Sequence, residues 1–249
     1  TNKRYGYGLL PDTYEAFKKQ RHRWAYGGVQ IVKKHWGRFL PGKSRLDPDQ
    51  KREFALGWLN WLGAESLGVV VALLNIAWMP VVAFMGIAIP ELILTLPIAA
   101  AFIVSLMHFL VLYRLRVTIG PAQMLGAMVA AMSVQLTVAR AVGTGLIKDH
   151  LPFTRTSKGG LSRMSVEFQA FWEAVICALL WIGAGVLIMT NYVGVLEVYV
   201  FAGVLLLQSL PFVSAVAIAV LENMNANEFV YWRNLRTRTG ELIGWRPIT

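Results

Sequence analysis

The stretch LGVVVALLNIAWMPVVAFM, Leu67 to Met85, runs for nineteen residues without a charge. A membrane-spanning helix needs about 20 predominantly apolar residues, so this run has the length and character of a span. Three further runs read the same way: Leu92 to Tyr113, Ala174 to Met189, and Val198 to Leu221. Short segments join them in pairs, Gly86 to Pro90 in the first and the residues around Asn191 and Gly194 in the second. The pattern predicts an all-α membrane protein with four transmembrane helices in two hairpins, plus amphipathic interfacial helices.

The segment Pro121 to Ile147 decides the topology. It is apolar, yet Gln123, Gln135, Arg140, Gly143 and Gly145 interrupt it. An arginine near the bilayer centre costs about 2.5–3.5 kcal/mol on insertion scales. The segment is therefore expected to lie at the interface or dip into it. The basic residues point the same way. All 24 Lys and Arg fall in the N-terminal region, in Arg114–Arg163 or in the C-terminal tail, and neither short turn, Gly86–Glu91 or Thr190–Glu197, carries one. A fifth span would set Lys148, Arg155, Lys158 and Arg163 opposite Arg114 and Arg116. The positive-inside rule thus favours four spans, with both termini and the central segment in the cytoplasm.

The expected division is 1–64 cytoplasmic and interfacial helices, 65–113 a transmembrane hairpin, 114–170 an interfacial helix and polar loop, 171–221 a second hairpin, and 222–249 a cytoplasmic tail. This arrangement accounts for the formal net charge of +10 without nucleic acid as a partner. Composition agrees: 56% of residues are hydrophobic and 15% charged, against about 25% charged in soluble domains. The one cysteine, Cys177, lies in an apolar run and reads as a small buried hydrophobe. Alone it makes neither an intramolecular disulfide nor a thiolate metal site. The sequence opens at Thr1 without a signal peptide, and reads as a piece of a longer or processed chain.

Ahead of the first span the chain is basic and aromatic. Pro11-Asp12-Thr13 reads as a turn into a helix, with Asp12 or Thr13 as N-cap. The helix is expected over Tyr14 to Trp36, weakened in its middle by Gly27-Gly28. Pro41-Gly42 breaks the chain, and Asp47-Pro48 opens a helix carrying Phe54, Trp58 and Trp61. Within the first helix, Gln20-Arg21-His22-Arg23-Trp24 sets two guanidiniums and an indole within about one turn. Arginine is a planar fork of donors suited to phosphate, and an indole face suits the axial C–H bonds of a sugar ring. The plainer reading is a headgroup anchor at the membrane surface.

Gln20-x-x-Arg23-Trp24 resembles the QRxRW signature of processive family-two glycosyltransferases, the cellulose, chitin and hyaluronan synthase type. The flanks match too: Tyr7-Gly8-Leu9-Leu10-Pro11-Asp12-Thr13, then Lys18 and Lys19, then Ala25-Tyr26-Gly27-Gly28. The resemblance implies that Trp24 stacks on the acceptor sugar at a channel mouth, while Gln20 and Arg23 help hold the nucleotide-sugar and the acceptor. Arg21 is a weaker candidate for the same role, and His22, at the variable position, is expected to be solvated. A second match follows downstream. Leu151-Pro152-Phe153-Thr154-Arg155-Thr156-Ser157-Lys158-Gly159-Gly160 is similar to the family's mobile gating loop, with Phe153, Thr156 and Lys158 on matching positions and Arg155 where the family often has Val. The Thr hydroxyl and Lys ammonium can donate to a diphosphate, and the Gly pair can hinge.

The resemblance covers essentially the whole chain. It implies transfer from a nucleotide-diphosphate sugar, expected to be a UDP-sugar, to a growing polysaccharide that is moved across a bacterial inner membrane, with a periplasmic export partner possible in principle. A divalent metal, Mg or Mn, is expected, with ligands outside this stretch. The family's Asp-x-Asp and Thr-Glu-Asp would precede residue 1; Asp47-Pro48-Asp49 has the letters but follows the Trp24 motif as a helix start. No catalytic residue is expected here, and this stretch alone should be inactive. Other readings are a non-processive family-two enzyme acting on a lipid carrier, and a small transporter or membrane scaffold. Within the spans, Asn75, His108, Gln208, Trp78, Trp181 and Tyr199 could line a polar path or simply serve the bundle, and Glu65 and Glu173 stand at cytoplasmic ends. His108 is expected as a satisfied bundle residue.

Overall fold

A computed structural model describes residues 11, 13–40, 44–85, 92–117, 119–150 and 168–243. All regular structure among them is helical. Helix α1 is Tyr14–His35, followed by a 3₁₀ turn at Trp36–Phe39. Thr13 is its N-cap: the hydroxyl accepts from the Ala16 amide. Asp12, the alternative cap, lies outside the described residues. Helix α2, Pro48–Leu59, begins where Asp47-Pro48 predicts, and passes through a π-helical turn, Asn60–Leu67, into α3, Gly68–Met85. Then come α4, Leu92–Arg116, and α5, Pro121–Ser133, with Pro121 in its first turn and Gln123 bonding back to the Gly120 amide. The last three are α6, Gln135–Ile147, α7, Phe171–Thr190, and α8, Leu196–Ile243.

Five segments are long and apolar enough to cross a membrane: Glu65–Met85, Leu96–Arg116, Pro121–Ile147, Phe171–Thr190 and Leu196–Met224. Their outward surfaces are apolar, with Leu74, Phe84, Val104, Ile182 and Met189 all exposed. Such a surface is a liability in water and a match for lipid tails. This is the build of a multi-pass helical membrane protein.

Helices α7 and α8 form the closest pair, turned at Asn191, whose side chain both donates to and accepts from Val195, and at Gly194, whose φ of 72° suits glycine. Helix α3 packs on α7 and touches α8, and α4 packs on α8. The bundle core gathers Val69 and Ala72 of α3, Leu180 and Leu187 of α7, and Phe201, Leu205 and Phe212 of α8. Gly183 admits the crossing, since a Cβ there would sit 3.3 Å from the Met79 side chain. Small residues at such crossings let helices in lipid approach closely.

The stretch expected as one interfacial helix is two. The backbone departs from helical geometry at Val134 (φ −99°, ψ 5°), dividing α5 from α6. Helix α6 then runs beside α1 in the same direction: Tyr14 reaches Ser133, Val29 touches Gly145, and Lys33 bonds Asp149. Helix α8 continues beyond the last apolar run, through Ile243.

Candidate functional site

Helix α1 carries the motif, and its inward face is fixed at three places. At the N-terminal end the Tyr14 amide donates to a Glu222 carboxylate oxygen (2.8 Å), putting an acidic group of α8 at the positive end of the helix dipole. The Tyr14 hydroxyl donates to the Ser133 carbonyl (2.8 Å), and burial raises its pKa well above the ordinary phenol range. One turn on, Lys18 pairs with Glu173 at the head of α7, donates to the Gln169 carbonyl, and lies over the Tyr14 ring. In the middle, Arg21 approaches Glu65 (Nη2 to Oε1 3.9 Å) and the Phe17 ring. Further along, the Trp61 ring lies against Gly28, where a Cβ would come within 2.3 Å of it. The C-terminal end is tied to α6: Gln30 and Tyr26 donate to the Lys148 carbonyl. Lys33 bonds Asp149, holding that carboxyl below its usual range.

Of the glycine pair expected to weaken α1, Gly28 serves packing, while a Cβ at Gly27 would meet nothing within 4 Å. Gly28 is buried because only a residue without a side chain lets Trp61 lie there.

The motif residues split around this frame. Gln20, Arg23 and Trp24 stand at i, i+3 and i+4, hence on one helix face. Trp24 is 49% exposed there. Arg21 turns to Glu65. His22, expected to be solvated, is half-buried, and burial favours its neutral form. The second group of expected residues, Phe153, Thr156 and Lys158, lies outside the described residues, as does the turn Gly86 to Pro90.

Of the polar groups in the spans, Asn75 donates to Gln208 across α3 and α8 (2.9 Å), and the Trp181 indole donates to Ser209 across α7 and α8 (2.8 Å). These contacts serve the bundle. Replacing Asn75 by Leu should lower stability by about 0.6 kcal/mol, the average worth of such bonds in a membrane bundle, read by thermal unfolding in detergent. His108, expected within the bundle, is exposed on α4. Trp78 and Tyr199 are exposed as well. Cys177 is partly buried in the bundle.

Sequence reasoning noted Glu173 and Lys18 without pairing them, and missed Glu222 and the Arg140 guanidinium over the Trp172 ring (5.9 Å). The available signal was an acidic residue at the mouth of an apolar span, which needs a cation from elsewhere in the chain. Among the described residues no three His, Cys, Asp or Glu side chains gather as a metal would require, so these residues do not fit a divalent ion as ligands. Compared with family models, curated proteins and solved structures, the chain matches none.

Proposed function

We propose that this chain is the membrane-embedded part of a processive family-two glycosyltransferase, which extends a polysaccharide from a nucleotide-diphosphate sugar and passes it across a bacterial inner membrane. The observation that carries the reading is the outward face of α1. A half-exposed indole, an amide and a guanidinium share one face of a helix whose opposite side is anchored to the spans. An indole can stack on a sugar ring while Gln20 and Arg23 offer donors to hydroxyls and phosphate. On this reading the chain's own contribution is to bind and orient.

The topology that goes with this reading has four spans. Although Pro121–Ile147 is long enough in all to cross, its helix breaks at Val134, and α5 packs against α8. Helix α6 also runs alongside α1, which carries Lys18, Lys19, Arg21, Arg23, Lys33 and Lys34, so the two share one level of the membrane. That level is the cytoplasmic surface. Single cysteines at Ser157 and at Asn191, in a Cys177→Ser background, should label from opposite sides. Labelling from the same side would overturn the four-span topology.

The functional reading is tested by titrating UDP with Mg²⁺ into the full-length gene product and into its Gln20, Arg23 and Trp24 triple alanine variant. Metal-dependent binding, weakened in the variant, is expected. If neither protein binds any nucleotide tried, the chain is better read as a small transporter or scaffold.

A further inference from the structure

Arg21 belongs to the motif by sequence, but its guanidinium is directed to Glu65. Its partner Glu65 lies on the π-helical turn Asn60–Leu67, which also carries Trp61 and packs against α6. The first span begins directly after this turn. At its first residue, Gly68, a Cβ would come within 2.6 Å of the Gln135 side chain. Turn and span are thus seated closely on both α1 and α6.

The Arg21–Glu65 pair is poorly satisfied. Arg21 Nε and Glu65 Oε2 are buried and have no hydrogen-bond partner. Native proteins leave few buried polar groups in that state, and each calls for a reason. A buried pair with incomplete hydrogen bonding is a weak source of stability. A π-helical turn is itself uncommon and is found disproportionately at functional sites. What the pair and the Trp61–Gly28 contact do together is fix one rotation of α1 about its own axis.

We infer that Glu65 and Trp61 are positioning residues: acting through Arg21 and Gly28, they set the direction in which Gln20, Arg23 and Trp24 face relative to the first span. The geometry of the joint stands without the sugar-transfer reading; its consequence for donor binding rests on that reading.

The test uses the chain in detergent with Cys177→Ser and a reporter cysteine at Ile31, which is exposed and two turns beyond Trp24 on the same face. Glu65→Gln should change the maleimide labelling rate by about twofold or more, the low end for residues coupled by direct contact. The exchange pair Arg21→Glu with Glu65→Arg should return the rate toward wild type. An unchanged rate, or an exchange pair no better than the single variant, overturns the inference. Should Glu65→Gln fail to fold, Gly28→Ala attacks the joint from the Trp61 side and should shift the rate likewise; no shift overturns it. UDP–Mg²⁺ binding by the full-length gene product is the second readout. A wild type that binds no nucleotide tried defeats the glycosyltransferase reading and leaves labelling to decide the joint. A wild type and a Glu65→Gln variant that bind equally overturn the positioning role.

Discussion

Trp24→Ala in the full-length gene product is expected to abolish polymer synthesis while leaving membrane insertion intact. Trp24 is about half exposed on α1. Substitutions at such surface positions usually change stability by no more than about 0.5 kcal/mol, so folding should survive. The indole's proposed role is to hold the acceptor sugar in line with the donor. A displacement of roughly 1 Å at a reacting centre can cost about a hundredfold in rate, and a processive enzyme meets that loss at every addition. High-mass glycan should therefore vanish while the membrane fraction retains the protein. Normal polymer yield would remove Trp24 from the acceptor site.

Breaking the Lys18–Glu173 pair should give the largest loss of stability. The Glu173 side chain is 3% exposed and that of Lys18 17%, so removing one partner strands a charge away from water. Lys18→Met or Glu173→Gln alone should cost about 3–5 kcal/mol, whereas an apolar replacement of both, Lys18→Met with Glu173→Leu, should recover most of it. Thermal unfolding in detergent reads the difference. Equal losses in the single and double variants would mean that packing around Lys18, rather than the charge pair, holds α1 to α7.

What the sequence disclosed follows from the physics of each signal. Apolar runs without charge set the spans, because lipid accepts nothing else, and α3, α4 and α7 start and end within a few residues of the expected limits. Thr13 and Pro48 mark helix starts through local chemistry, which a sequence exposes directly. Tertiary arrangement was hidden. The break at Val134 carries no proline or glycine, and the reason for Gly28 is a tryptophan 33 positions away. Arg21 could not be told from Arg23 in the motif string. Only the structure shows which of the two approaches Glu65. Nor does chain order disclose that, among the described residues, α3 packs on α7 and α4 on α8.

Reconstitution of the full-length gene product into sealed vesicles tests the central claim most directly, with the cytoplasmic face outward and labelled nucleotide-diphosphate sugars supplied from outside with Mg²⁺ or Mn²⁺. The account predicts a high-mass glycan that accumulates inside the vesicles, protected from added glycosidase, and that disappears with Trp24→Ala. A single sugar transferred to lipid, or no transfer from any nucleotide sugar supplied, would contradict it.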